Sequence, residues 1–331
     1  MLVLGIESTA HTFGVGIVDC KKKEVLFNEK IQFQNDVGMD PRKLLDFHVA
    51  NFDSVLMKAK DFLKTKKKSF SDLDLISFSQ GPGLGNALKV GACVAKTLSL
   101  KYKISIVGVN HIKAHLEIGK MLTGFKDPIF IYTSGVNTQI IAKDEFGKYK
   151  IYGETEDIGL GNLIDSSARL LGLGFPGGPL VEKEALKSKN YIELPYVVKG
   201  MNISLAGMHS KIKELIRKGE KREDICYSLQ ETIFAQVLEV AERAIAYTQK
   251  KEMLIVGGVA ANKRFNEMCE ILCMERGIKF EKIPFQYVLD NAAMIAWQGY
   301  VDRNNSLGPG EWGLGTRELK PLPYVNVESD L

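Results

Sequence analysis

The alternation of apolar and polar residues predicts that the chain opens with a meander of strands. Three runs alternate with the period of two that is typical of a half-buried strand: LVLGIE (2–7), FGVGIVD (13–19) and EVLFNEKIQ (24–32). A helical stretch, LLDFHVANFDSVLMKAKDFLK (44–64), follows them. Three strands followed by a helix indicate the beginning of a layered α/β unit.

The same order of elements occurs a second time along the chain. Further strands are predicted at 73–79, 104–109, 128–135, 138–144, 148–156, 252–258 and 278–284, and further helices at 86–99, 162–171, 222–249 and 290–303. This coarse internal repeat predicts an α/β protein of two ribonuclease-H-like domains that face each other across a cleft. We expect the first domain to cover 1–126, joined by the C-terminal segment 304–331, and the second to cover 127–303.

The composition is that of an ordinary globular protein. At 331 residues, with 45% apolar and 25% charged residues, the chain is long for one domain, which favours two. The net charge of +4 permits an anionic partner without requiring one. Five cysteines without a CxxC pair indicate reduced intracellular thiols. Because no signal peptide and no apolar run of about 20 residues is evident, we expect a soluble cytoplasmic protein without membrane contact.

Two histidines four residues apart indicate a metal site. His111 and His115, in VGVNHIKAHLEIG (107–119), share one helical face. The position of the glutamate base in an HExxH peptidase motif is taken by Ile112. Two imidazoles cannot complete a site, so a carboxylate or phenolate must come from elsewhere. Asp290 stands at the start of a predicted helix, where it either completes the site or caps the helix.

Four turns that follow predicted strands are candidates for nucleotide binding. They are EST (7–9), SQGPGLGNA (79–87), TSGVNTQ (133–139) and VGGVAAN (256–262). Glycine in the last three lets the backbone approach a phosphate, and the helix starting at Ala261–Asn262 adds its positive end. None matches the phosphate loop of GTPases or a dinucleotide GxGxxG.

Two acidic residues flank a Pro-Gly-Gly turn. Asp165, in GNLIDSSAR, and Glu182, in FPGGPLVEKEA, are placed to hold ribose hydroxyls, as acidic residues do in nucleotide-binding folds. Helix capping and simple solvation are about equally good interpretations of both.

Taken together, these motifs closely resemble the N6-threonylcarbamoyladenosine tRNA-modification family, the catalytic subunit of the archaeal and eukaryotic KEOPS complex. The motifs that carry the resemblance are GIESTAHTFGVGIV (5–18), FSQGPGLG (78–85), GVNHIKAHLEIGK (108–120), YTSGVNTQ (132–139), GETEDIGLGNLID (153–165), GFPGGPLVEK (174–183), LPYVVKGMNIS (194–204), YSLQET (227–232), VGGVAANKR (256–264) and DNAAMIAW (290–297). They cover nearly the whole chain in the order of the family.

The resemblance implies a fold, a metal site and a nucleotide pocket. The fold is that of actin, heat-shock chaperones and sugar kinases (the ASKHA fold). The metal ligands matched by motif are His111, His115, Tyr132 and Asp290. The nucleotide pocket matches Tyr132, Thr133, Ser134, Gly135, Val136, Asp165, Gly178, Glu182 and Asn262. The cofactors implied are one divalent ion, Fe²⁺ or Zn²⁺, and an ATP- or AMP-type nucleotide bound as part of threonylcarbamoyl-adenylate.

Three positions depart from the family pattern. Val136 replaces the second glycine of the usual Ser-Gly-Gly-Asn-Thr turn, and a β-branched residue disfavours a positive φ there. Asn202 and Ala206 replace the usual aspartate and serine in MNISLAGM.

The activity implied is transfer of threonylcarbamoyl from its adenylate to N6 of the adenosine 3′ to the anticodon, in tRNAs that read codons beginning with A. No residue is expected to act as a nucleophile, because the adenylate is already activated. The partners implied are tRNA, a small protein kinase or ATPase subunit, and small dimerisation subunits. An ATPase or small-molecule kinase of the same fold, a metal-dependent peptidase and a non-catalytic nucleotide-binding scaffold are the alternatives.

Overall fold

The computed structural model describes residues 1–33, 40–311 and 319–329. It divides into two compact units, which we call unit 1 (Met1–Leu122 with Asp290–Leu331) and unit 2 (Thr123–Leu289). No helix among the described residues is long and apolar enough to cross a membrane.

Unit 1 begins with the predicted meander and continues with alternating helices and strands. Its first elements are β1 (Leu2–Glu7), β2 (Thr12–Asp19), β3 (Glu24–Gln32), α1 (Pro41–Thr65), β4 (Leu75–Gly81), α2 (Gly85–Tyr102), β5 (Ile106–Asn110) and α3 (His111–Thr123). The strands form one sheet in the order β3-β2-β1-β4-β5. The meander is antiparallel, whereas β4 and β5 run parallel to β1, as strands joined by crossover helices must.

Unit 2 repeats this topology. Its elements are β6 (Ile129–Thr133), β7 (Thr138–Lys143), β8 (Tyr149–Thr155), α4 (Leu160–Leu170), α5 (Gly177–Ala185), β9 (Val198–Lys199), β10 (Asn202–Ile203), α6 (Gly207–Lys218), α7 (Arg222–Thr248), β11 (Glu252–Val256), α8 (Lys263–Arg276), β12 (Lys279–Phe280) and α9 (Phe285–Val288). The sheet order is β12-β11-β6-β7-β8-β10-β9. Its central part, β8-β7-β6-β11-β12, has the order and strand directions of the sheet in unit 1. The predicted α/β duplication of ribonuclease-H-like units is therefore confirmed.

The last helix, α10 (Ala292–Val301), lies on the sheet of unit 1, whereas the sequence placed it in the second domain. Two glycines of that sheet allow the approach. A Cβ added at Gly5 would lie 2.2 Å from the carbonyl oxygen of Ala292, and one at Gly16 would lie 2.5 Å from the amide nitrogen of Ala293. Backbone therefore packs directly on backbone, and the position of α10 is tightly fixed.

The C-terminal segment is also fastened to unit 1. The side chain of Gln80 donates to the carbonyl oxygen of Lys320 at 2.9 Å, and the amide of Leu322 donates to the carbonyl oxygen of Gln80 at 2.7 Å. Further along, the side chain of Asn110 donates to the carbonyl oxygen of Asn326 at 2.8 Å. These bonds join the segment to the ends of β4 and β5.

Candidate metal centre and glycine turns

The histidine pair is positioned by the start of α3. The side-chain oxygen of Asn110 accepts hydrogen bonds from the backbone amides of Ile112 (2.9 Å) and Lys113 (3.2 Å), so this residue caps the helix. His111 is then the first helical residue and His115 lies one turn later. Their rings are 4.8 Å apart between centroids, and the residues are only 6% and 2% exposed.

Asp290 completes a triad with the two histidines. Its Oδ1 lies 3.5 Å from Nε2 of His111 and 3.3 Å from Nε2 of His115. The N-cap of α10 is the next residue, Asn291, whose side chain accepts from the amide of Met294 at 3.0 Å. The alternative in which Asp290 caps this helix is therefore wrong, and its carboxylate faces the imidazoles instead.

The spacing of the three ligand atoms fits a metal ion. With bonds of about 2.0–2.1 Å, the ligand atoms of a tetrahedral site lie about 3.3 Å apart, close to the two distances from Asp290. All three candidate ligand atoms lie within 4.8 Å of one another. Lys30 stabilises the backbone at this point, since its Nζ donates to the carbonyl oxygen of Asp290 at 2.8 Å.

A fourth residue of the centre, Glu7, was not predicted from the sequence. It ends β1, is 0% exposed, and its Oε2 accepts from Nδ1 of His111 at 3.0 Å. Its Oε1 accepts from the backbone amide of Thr9 at 2.7 Å and from the hydroxyl of the same residue. A carboxylate on the far ring nitrogen is the usual way in which a protein orients a metal-binding histidine. The sequence feature that could have indicated Glu7 was a carboxylate at the last position of a predicted strand, where the EST turn begins.

The electrostatics of the centre favour a cation. Burial acts to lower the pKa of His111, but the carboxylates of Glu7 and Asp290 outweigh it and raise this pKa to about 10. Burial lowers the pKa of His115. For Asp290, burial acts to raise the pKa, but the hydrogen bonds to the two histidines hold it well below its usual range. The two imidazoles and the Asp290 carboxylate thus form a donor set that suits divalent zinc or iron, with the Glu7 carboxylate behind His111.

The turn between β6 and β7 is held by its own hydrogen bonds. The amide of Ser134 donates to the carbonyl oxygen of Asn137 at 2.8 Å, and the amide of Asn137 donates back to the Ser134 hydroxyl at 2.9 Å. Val136, where the family has glycine, is not in the left-handed region and is 69% exposed. The valine is therefore accommodated without backbone strain.

The start of α4 packs against this turn. A Cβ added at Gly159 would lie 2.4 Å from the carbonyl carbon of Val136, and one at Gly161 would lie 2.8 Å from Cα of Gly135. The amide of Asn162 donates to the carbonyl oxygen of Gly135 at 2.9 Å. Glycine is thus required at both positions of GLGN (159–162), because the backbone of this segment contacts the backbone of the turn directly.

The predicted ribose-binding carboxylates both bind helix N-termini. Asp165 accepts from the amide of Gly177, the first residue of α5, at 2.7 Å. Glu182 accepts from the amide of Lys263, the first residue of α8, at 2.8 Å. Capping is therefore one role of each, as the second interpretation of the sequence proposed, and contact with ribose stays a prediction.

The remaining predicted residues of unit 2 lie close to these elements. Asn262 caps α8, accepting from the amide of Phe265 at 3.0 Å and donating to Gln230 at 2.6 Å. Gly178 faces open space, since an added Cβ would meet nothing within 4 Å. Tyr132 and Thr133 end β6 and are buried. The involvement of Tyr132 in a metal site stays a prediction.

Two ribonuclease-H-like units in one chain, one of which carries the triad of His111, His115 and Asp290, define a protein of the ASKHA-fold class. Solved structures agree on the fold. HypF in its phosphate- and nucleotide-bound form is 12% identical, with a TM-score of 0.62, over 91% of this chain and 55% of that one. The activator of the 2-hydroxyisocaproyl-CoA dehydratase from Clostridium difficile is 11% identical, with a TM-score of 0.55, over 92% and 96%.

Within that class the chain belongs to the TsaD family, tRNA N6-adenosine threonylcarbamoyltransferase, whose model matches residues 23–297. A relative of that name from Nanoarchaeum equitans is 50% identical over 99% of both chains. Another of that name from Thermococcus kodakarensis is 51% identical over 90% of both. A probable bifunctional tRNA threonylcarbamoyladenosine biosynthesis protein from Methanocaldococcus jannaschii is 44% identical over 99% of this chain and 59% of that protein.

These comparisons confirm the family, the fold class and the acyltransferase activity predicted from the motifs. The chain is a tRNA-modifying enzyme that transfers threonylcarbamoyl to N6 of adenosine.

Proposed function

We propose that the triad of His111, His115 and Asp290 is the metal centre of threonylcarbamoyl transfer. The observation that carries this proposal is the pair of distances, 3.5 and 3.3 Å, from one carboxylate oxygen to two buried imidazole nitrogens. A divalent ion held there, Fe²⁺ or Zn²⁺, would polarise the oxygens of the threonyl end of the substrate. Glu7 would keep the ring of His111 in the orientation and tautomer that binding needs.

The reaction needs no nucleophile from the protein. The exocyclic N6 of the target adenosine attacks the carbamoyl carbonyl carbon of threonylcarbamoyl-adenylate and forms the new C–N bond. The bond from that carbon to the phosphate oxygen breaks, AMP leaves, and N6 loses a proton to solvent. The role of the protein is to hold both reactants and to stabilise the charge that develops.

We assign the AMP part of the substrate to unit 2. Ser134, Gly135 and Val136 form an exposed backbone turn beside the start of α4, and Gly178 leaves open space at the start of α5. An exposed turn with glycine lets the backbone approach a phosphate. The second carboxylate oxygen of Glu182 is the candidate acceptor for a ribose hydroxyl, because Oε1 binds Lys263. Tyr132 as a further metal ligand rests on the family motif alone.

We also propose that the chain works in a KEOPS-like complex with a small kinase or ATPase subunit and small dimerisation subunits. Support comes from the detailed agreement of its motifs with the archaeal and eukaryotic form of the family and from archaeal relatives at about half identity.

The direct test combines the chain, its partner subunits, threonylcarbamoyl-adenylate and unmodified tRNA. Wild-type protein is expected to form the modified base, and His111→Ala is expected to lose both bound metal and transfer. His11→Ala is the matched control, because this histidine lies outside the triad; it should retain metal and activity. Full transfer by metal-free His111→Ala protein would contradict the proposed role of the centre.

A further inference from the structure

Helix α6 carries a basic face that has no role in the sites described above. It buries Met208, Ile212 and Leu215, which recur at helical spacing against the rest of unit 2. On another face, Lys213 and Arg217 stand one turn apart and are exposed. In the described part of the chain, neither has a carboxylate within ion-pair distance.

Other lysines of the same helix differ in this respect. Glu214 lies 3.3 Å from Nζ of Lys211 and 2.6 Å from Nζ of Lys218. The charge of these two lysines is therefore partly neutralised within the helix, whereas that of Lys213 and Arg217 is not. The unneutralised cations dominate the potential that an approaching ligand meets.

The basic face continues onto α4. The hydroxyl of Ser166 forms a short hydrogen bond with Nε2 of His209, which joins α4 to the first turn of α6. Arg169 follows Ser166 by one turn and is exposed. Lys213 likewise follows His209 by one turn, so Arg169 and Lys213 flank the contact between the two helices, and Arg217 stands one turn further along α6. Burial, and then the positive charges of Lys213 and Arg169, lower the pKa of His209. We call Arg169, Lys213 and Arg217 the α4–α6 surface.

This surface adjoins the candidate nucleotide residues of unit 2. Ser166 directly follows Asp165, whose carboxylate binds the start of α5. The first turn of α4 packs on the Ser134–Val136 turn through Gly159 and Gly161. One helix thus connects the turn assigned to AMP with the exposed cations.

We propose that the α4–α6 surface binds backbone phosphates of the tRNA substrate. Positions four apart on a helix are separated by about 6 Å, so long flexible side chains at these positions reach successive phosphates rather than enclosing one small anion. Exposed cations without carboxylate partners are the residues whose phosphate contacts release counterions. The proposal rests on the proposed function, since a tRNA must present its adenosine at the adenylate for the surface to matter.

The test compares, in the assembled complex, a variant that lacks the unpaired cations with a control that lacks paired ones. Arg169→Gln, Lys213→Gln and Arg217→Gln together remove the unpaired cations. Each phosphate contact contributes about 0.7–0.9 to the slope of log binding constant against log salt. The slope is therefore expected to fall by about two to three, with about 30- to 100-fold weaker binding of unmodified tRNA at 0.15 M salt.

The matched control is the double variant Lys211→Gln and Lys218→Gln, which removes two lysines of the same helix that are paired with Glu214. We expect it to change tRNA binding less than about threefold, since Glu214 already partly neutralises the two cations that are lost. The double variant Lys213→Arg and Arg217→Lys keeps both positive charges, so its tRNA binding should show the wild-type dependence on salt.

Steady-state kinetics distinguish a failure of the proposed tRNA surface from a failure of the proposed transfer reaction. The triple variant should show a raised KM for tRNA, with kcat and the KM for threonylcarbamoyl-adenylate within twofold of wild type. If wild-type complex transfers but the triple variant keeps the wild-type tRNA KM and salt slope, the surface proposal is wrong. Weaker assembly with the partner subunits at unchanged tRNA affinity would also overturn it. Absence of transfer by wild-type complex would instead refute the proposed function.

Discussion

Removing the charge of Glu7 should weaken metal binding although this residue is not a ligand. In Glu7→Gln the side chain keeps its length but has one acceptor where the carboxylate uses two. Oε2 accepts from His111 and Oε1 accepts from Thr9. The amide can serve only one of them and turns its NH₂ group towards the other, leaving two donors facing each other in a fully buried place.

The magnitude follows from these contacts. Loss of a carboxylate partner behind a metal-binding histidine typically lowers metal affinity by about 10- to 100-fold, or about 1.4–2.7 kcal/mol. The unsatisfied buried donor should also lower the free energy of unfolding by about 1–3 kcal/mol. Competition with a chromogenic chelator measures the affinity for Zn²⁺ and Co²⁺, and urea unfolding measures stability.

Thr9→Val is the control for this prediction. It removes only the hydroxyl that donates to Glu7 and retains both the carboxylate and the backbone donor. We expect less than about a threefold change in metal affinity, because the charge on the carboxylate in contact with His111 remains. A folded Glu7→Gln protein whose metal affinity lies within twofold of wild type would refute the orienting role of the carboxylate.

Three further predictions concern the surroundings of the centre. Gly5→Ala places a methyl group 2.2 Å from the carbonyl oxygen of Ala292. It should lower the free energy of unfolding by about 1–3 kcal/mol or more, measured by urea unfolding, and weaken metal binding, measured by titration. Gly14→Ala, where an added Cβ has no neighbour closer than 3.4 Å, should change neither quantity. Burial lowers the pKa of His48 to about 4. As the pH falls, the unfolded chain therefore binds this proton before the folded chain does. Up to about 3 kcal/mol of the free energy of unfolding that is present above pH 6.5 is lost between about pH 6.5 and 4. His48→Phe should flatten the free energy of unfolding over this pH range, and an unchanged pH dependence would exclude this histidine as the cause. Asn291→Ala removes the cap of α10 and should cost about 0.5–2 kcal/mol in thermal or urea unfolding; an unaffected midpoint would mean that the cap contributes little.

Local periodicity predicted the strands of both sheets except β9 and β10, which have two residues each. β1 and β3 have the predicted bounds, although β1 is buried at five consecutive positions and β3 at none, so burial does not follow the alternation of residue types. Helix α6 was not predicted from the sequence, although Met208, Ile212 and Leu215 recur at helical spacing. Three lysines, one arginine and one glutamate lie between and after these apolar residues, which form only a narrow stripe.

The candidate site could be predicted only where its parts are local or belong to a motif. His111 and His115 are one helical turn apart, so their spacing alone indicated a pair. Glu7 lies 104 positions from His111 along the chain, and no local pattern reveals that contact. The roles of Asp165 and Glu182 as caps likewise depend on which helix starts pack beside them, and this is decided by tertiary structure.

The triad also has a consequence for the order in which the protein is completed. His115 and Asp290 are separated by 175 positions, and unit 2 is inserted between them. During synthesis Asp290, the third residue of the triad, emerges only after the inserted unit has been made, so the triad is among the last features to form. A cation bound there closes a very long loop and binds only the finished fold, which stabilises the attachment of both ends of the insertion. Chains that stop before residue 290 would lack the centre, however well their earlier parts fold.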